Sequence, residues 1–298
     1  SLNKFVSRHW NVTRIGSGNF QVDATFTYLP ADLVGGATQG NIKAAKYDDP
    51  NWTLPNTTTA GNSFTATGLT SFSSFMGGET PPDYDITTTG NAIVITDLSG
   101  NGETLDVSEN GMDIIRFVAT PTSRTYSIDG GAITAFTTAA DISLVDVASI
   151  TVNAGLGADI INFNTFSINA LPDLIVNGGT GDDVVNFNGD ITFETNASLD
   201  VDLQDDDGTP GTDRVVVASN ANLVLSGAGI ATVTASQDVV INTGGSIETT
   251  NGNLTIEANQ QGTPTAGNFV GVDVNGGLIR ATGTGIVSVK GKGGNSGS

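Results

Sequence analysis

"GGTGDDVVNF", residues 178–187, decides how the rest of the chain is read. Its first nine residues fit G-G-x-G-x-D-x-U-x, with U a large apolar residue, the nonapeptide of calcium-loaded β-rolls. In such a roll the nonapeptide returns every nine residues, and successive turns share each ion. Here the nearest relative lies 24 residues upstream, as Ala154-Gly155-Leu156-Gly157-Ala158-Asp159, with one glycine replaced. A calcium roll is therefore not built, and the spacing predicts a wider coil in which this stretch turns a corner.

Working outward, the pattern of glycine, any residue, aspartate and then a strand recurs. "GMDIIRF" starts at Gly111, "GADIINF" at Gly157, "GDDVVNF" at Gly181 and "GTDRVVV" at Gly211, at spacings of 46, 24 and 30 residues. Later, "GGSIETTNGNLTIEA" from Gly244 and "GGLIRATGTGIVSVK" from Gly276 are 32 apart. Periods of roughly 20 to 50 residues signal a solenoid, a propeller or an array. Each unit carries two or three short runs of Val, Ile and Leu between Gly, Asn and Asp. The expectation is a right-handed parallel β-helix over residues 86–298, with the apolar side chains in one continuous core. At ~24 residues and ~4.8 Å per coil this gives about nine coils and a rod on the order of 45 Å long. Six Asn-Gly steps, among them Asn177-Gly178, Asn188-Gly189 and Asn275-Gly276, are expected to supply turns with positive φ.

Residues 1–78 read differently. "FQVDATFTY" alternates, with Phe20, Val22, Ala24, Phe26 and Tyr28 on one face, as a half-buried strand does. Both tryptophans, Trp10 and Trp52, lie here. Several short strands in so short a stretch predict a small antiparallel, Ig-like β-sandwich. "GGETPPD" bridges to the repeats; Pro81-Pro82 cannot continue strand pairing, so residues 79–85 are read as a linker. Charge divides the chain at the same place. Residues 1–78 carry a net +1, and residues 79–298 a net −21. The fold class expected is thus all-β: an antiparallel sandwich followed by a right-handed parallel solenoid.

Two resemblances add to this. "RHWNVTRIGSGNFQVDATFTYLPADL", "KAAKYDD" and "GLTSFSSF" resemble a spacer module of very large bacterial surface proteins, which has no catalytic role there. "GGSIETTNGNLTIEANQQG", "GVDVNGGLIRATGTG" and "SVKGKGGNSGS" resemble the repeats of filamentous-haemagglutinin-like and autotransporter-like passenger domains. These resemblances imply an adhesive or structural rod on a cell surface or secreted from it. The closing "GKGGNSGS" reads as the interior of a repeat, which predicts a piece of a longer chain.

A net charge of −20 disfavours nucleic acid and anionic lipid as partners and favours cations. No apolar run approaches the ~18 residues of a membrane span, so membrane insertion is not expected. There is no cysteine, hence no disulfide framework and no thiolate metal site. Two candidate calcium sites follow from carboxylates on turns. A 24-residue coil stacks Asp159 on Asp183, where two carboxylates ~4.8 Å apart repel unless a cation or hydrogen-bond donors separate them. The alternative there is that each aspartate caps its own turn. The loop "DLQDDDGTPGTD" offers Asp205, Asp206, Asp207 and Asp213, against the alternative of a solvated acidic loop. No cofactor is required by the sequence. Catalysis is not expected, since His9 is the sole histidine and no nucleophile motif accompanies it. The enzyme alternative is a polysaccharide lyase or hydrolase using Asp206 and Arg214. The expected partners are other copies of the chain or a cell-surface glycan; the alternative to an adhesin stalk is a self-assembling filament subunit.

Overall fold

The computed structural model describes residues 4–48, 51–53, 55–79, 84–97, 102–121, 125–128, 131–134, 138–204 and 211–294. The chain is all-β: among the described residues the only helical turns are two short 3-10 segments, Pro30–Asp32 and Gln39–Asn41. It divides into two compact units. One is Ser1–Pro82 with Ser123–Phe136, the other Asp83–Thr122 with Thr137–Ser298. The sequence divided the chain once, at residues 79–85; the hairpin of Thr125–Ile128 and Gly131–Thr134 instead groups with the first unit.

In the first unit every strand pairing is antiparallel. Leu33–Val34, Phe5–Asn11, Ser74–Gly78, Lys43–Asp48 and Asn51–Thr53 form one sheet; Val22–Thr27, Ser63–Leu69 and Thr57–Ala60 form another. One apolar cluster draws on both, with Val6, Ala44 and Phe75 from the first and Phe26, Phe64 and Leu69 from the second. Phe26 and Phe75 lie 4.8 Å apart between ring centroids, within the range of favourable aromatic pairs. Gly77 is required at this centre, because a Cβ there would come within 2.8 Å of Phe64 and Ile42.

In the second unit the chain visits three ladders in a fixed order. Ser149–Asn153 belongs to the first, Ile160–Phe163 to the second and Phe166–Leu171 to the third; Asp173–Asn177 then returns to the first, parallel to Ser149–Asn153. The circuit repeats through Val184–Phe187, Ile191–Phe193 and Leu199–Leu203, and again to Val287–Gly291. Columns of core side chains result. Ile150, Leu174, Leu199, Ala231 and Leu254 are in register in the first ladder. Phe163 stacks on Phe187 at 5.3 Å in the second. All seven side chains are at most 1% exposed. β-Branched and aromatic residues pack well on such a pleated surface, and each added rung extends one core.

The pairing is not parallel throughout. Tyr84–Thr89 runs antiparallel to Ala92–Asp97 across a two-residue turn at Gly90-Asn91, with Gly90 at φ 60°. Glu103–Glu109, Ile114–Pro121 and Thr138–Ser143 form an antiparallel meander at the start of the second ladder. "GMDIIRF" therefore feeds this meander and is not a parallel rung, which accounts for its irregular spacing of 46 residues. The first ladder has seven strands in parallel register, from Ala92–Asp97 to Val287–Gly291, fewer than the nine coils expected. The shortfall comes from the meander and from longer circuits, such as Leu199 to Ala231, where extra residues fill the corners and add no rung.

The Asn-Gly steps also act differently from expectation. Gly111 and Gly276 have positive φ, but Gly102, Gly178, Gly189 and Gly252 do not. Those four lie where neighbouring stretches of chain press together; a Cβ on Gly252, for example, would overlap the Gly229 carbonyl.

Candidate functional site

The corner between the first and second ladders holds the stretch "GGTGDD". Thr180 N–H donates to the Gly155 carbonyl (2.8 Å) and Gly157 N–H to the Thr180 carbonyl (2.9 Å), so two corners 24 residues apart clasp each other. A Cβ on Gly181 would overlap the Gly157 carbonyl oxygen, and one on Gly211 the Gly181 carbonyl oxygen. Glycine is thus required by the approach of one corner to the next. The turn residues of the nonapeptide match serve the coil stack.

The aspartates of this corner form a column. Asp159, Asp183 and Asp213 are each at most 1% exposed. Asp183 Oδ1 accepts the Asp159 N–H (2.8 Å), and Asp213 Oδ1 accepts the Asp183 N–H (2.6 Å). Ser236 ends the column: its Oγ accepts the Asp213 N–H (3.1 Å) and bonds both Asp213 Oδ2 and the Gly211 carbonyl. Donors between stacked carboxylates were one of the two expected ways to relieve their repulsion, and the backbone of the neighbouring rung supplies them. The sequence foresaw the Asp159–Asp183 step; Asp213 joins the same column, and Ser236 was missed because no aspartate marks that corner. Asp205, Asp206 and Asp207 lie outside the described residues. Among the described residues, no group of three or more His, Asp or Glu is arranged to hold a metal ion.

Other corners and outer faces use the same device. Asn196 Oδ1 accepts the Ala228 N–H (2.9 Å), Asn253 Oδ1 the Ile286 N–H (3.0 Å) and Asp190 Oδ1 the Asn222 N–H (3.0 Å). Asn186 donates to Asn162 (2.9 Å) and Asn162 to Asp106 (2.9 Å), a polar column on the outer face of the second ladder. Arg280 with Glu248 and Lys290 with Glu257 bridge successive rungs at 2.7 and 2.6 Å. Arg214, the base invoked for polysaccharide cleavage, donates to Asp238 at 2.7 Å. His9 is exposed and sits opposite Met76. Beside the acidic loop, burial first and the charge of Asp202 second push the Asp200 carboxyl above its ordinary range.

A site that the sequence did not single out is Glu109. Its carboxylate accepts the N–H groups of Ser167 (2.9 Å), Ile168 (2.9 Å) and Asn169 (3.3 Å), and the Ser167 hydroxyl (2.6 Å). These amides lie on Phe166–Leu171, the first strand of the third ladder, so the carboxylate stands where a further strand would pair. Burial pushes the Glu109 carboxyl up, but these hydrogen bonds outweigh it and hold it below its ordinary value.

Compared with protein-family models, with curated proteins and with solved structures, the chain matches none. No helix among the described residues is long and apolar enough to cross a membrane.

Proposed function

We propose that the second unit is a right-handed parallel β-helix serving as a stiff extracellular stalk, part of a surface adhesin. The observation that carries this reading is the repeated circuit through three ladders in fixed order, each return adding a parallel strand beside the previous one. Parallel crossovers in one sheet are right-handed in nearly all proteins. A continuous core with backbone hydrogen bonds along the axis resists bending, and structural repeats of this kind act through reach. The cross-rung hydrogen bonds of the corners hold successive coils in register without any reaction chemistry. An acidic surface and the resemblance to surface-protein repeats support an extracellular setting.

A self-assembling filament is the second reading. It is favoured by Val274, Leu278, Val287 and Val289 in the last rungs, which are 41–44% exposed. Against it, antiparallel strands and the Glu109 carboxylate occupy the first rungs, so a head-to-tail partner would find no parallel edge to extend.

Pulling the full chain by its ends in single-molecule force spectroscopy tests the stalk. Unwinding coil by coil should give repeated steps of roughly 80–110 Å, the extended length of one circuit at ~3.4 Å per residue. A single collapse of the whole second unit would contradict it. Antibody against the chain should also label intact, unpermeabilised cells of its source; labelling only after permeabilisation would contradict the extracellular setting.

A further inference from the structure

Ile42, Ala44 and Lys46 are alternate residues on one stretch of the first unit, and Ile42 and Ala44 belong to its apolar core. Lys46 continues that inward face, yet it carries a charge and is only 5% exposed. Burying an ammonium is costly unless it is paired and hydrogen-bonded. Lys46 Nζ bonds Asp48 and donates to the Ser71 hydroxyl (2.6 Å); its third N–H has no partner among the described residues. The ammonium lines a cavity of about 220 Å³ between the two sheets, walled by Thr53, Thr67, Leu69 and Ser71 among others.

We propose that this cavity binds one neutral sugar ring, which would make the first unit the glycan-contacting part of the stalk. The pattern of donors and acceptors points to that class. The Thr53 hydroxyl donates to the Lys46 carbonyl (3.3 Å) and the Thr67 hydroxyl to the Asn56 carbonyl (3.2 Å), so both face the hollow as acceptors. Ser71 accepts from Lys46, which leaves its own proton to donate, and Lys46 adds its third N–H. Two acceptors beside two donors suit vicinal hydroxyls, each of which gives and takes a hydrogen bond. An inorganic anion offers acceptors alone and would face the lone pairs of Thr53 and Thr67. Asp48 already neutralises the ammonium, which further weakens the case for an anion. The volume falls below the roughly 300–1,000 Å³ of drug-sized sites, which limits the ligand to a single ring. Leu69 supplies the apolar wall against which a ring face can lie.

The inference adds a ligand to the adhesive half of the function proposed above, but it stands on the first unit alone, so a failed force measurement would not touch it. The test is an amide NMR titration of the full chain with the methyl glycosides of glucose, galactose, mannose and N-acetylglucosamine. Concentrations should reach about 50 mM, since a weak single-ring site has a Kd in the millimolar range. Sodium sulfate serves as the anion control. At least one glycoside should give saturable shifts confined to residues 46, 53 and 67–71. Ser71→Ala, at an exposed position that leaves the fold intact, should weaken that binding at least fivefold, and sulfate should not compete. No saturable shift with any glycoside would overturn the proposal, as would sulfate binding the same residues more tightly. Thr53→Val is the second variant: if neither it nor Ser71→Ala weakens binding, the sugar lies elsewhere and the assignment fails.

Discussion

At the scale of single residues, the corner glycines and aspartates carry the coil stack. A Cβ on Gly181 would overlap the Gly157 carbonyl, and Gly181 also sits at φ 141°. Gly181→Ala should therefore cost several kcal/mol, in the range reserved for steric conflict at special backbone positions. Gly262→Ala, with nothing within 4 Å of the added carbon, should stay within about 0.5 kcal/mol of the parent. Urea unfolding of the two variants side by side measures the contrast. Asp183 makes a second test. Asp183→Ala deprives the buried Asp159 N–H of its acceptor and should cost about 1–3 kcal/mol, whereas Asp183→Asn keeps an oxygen in place and should cost less. Because Asp183 Oδ1 and Asp213 Oδ1 are engaged by backbone donors, calcium or chelator should move the melting midpoint of the parent and of Asp183→Asn equally. A calcium effect lost only in the variant would place an ion in the column.

At the scale of elements, Glu109 links the meander to the first strand of the third ladder. Its folded pKa is depressed, so its contribution is present above the ordinary value of 4.5 and is lost as pH falls through the lower folded value. Thermal midpoints should fall with acidification over that window, and Glu109→Gln should flatten the profile there while lowering stability at neutral pH. An unchanged profile would remove Glu109 as the cap. The strands themselves were legible because their alternation is strong; "DLIVN" and "VVNF" read as strands from composition alone. The corner at Asp159 and Asp183 was legible because glycine, aspartate and a 24-residue spacing recur together. Glu109 was not, since one glutamate at a strand end gives no local signal and its partners lie 58 to 60 residues away. Lys46 had a signal, being in phase with the core positions Ile42 and Ala44, but a lysine within an alternating run reads first as a solvent-facing residue. The antiparallel start was hidden because "GMDIIRF" shares its local pattern with true rungs and differs only in what it pairs with.

At the scale of the whole second unit, circuits of unequal length add the same single rung. Val94, Thr151, Ile175, Asp200, Thr232, Thr255 and Ser288 stand in one register column of the first ladder. Position 94 is 57 residues before 151, and 151 is 24 before 175, yet each interval is one step of the ladder. The most direct measurement is the electron–electron distance between spin labels on cysteine pairs, which the cysteine-free chain accepts without background. Ser288 is labelled in every pair, with Ile175, Thr151 or Val94 as its partner. Four, five and six rungs predict distances of about 19, 24 and 29 Å, rising by one strand spacing each time. Equal increments in spite of the 24- and 57-residue intervals are the result a coiled stack requires. Increments that grow with the length of chain between the labels would contradict it.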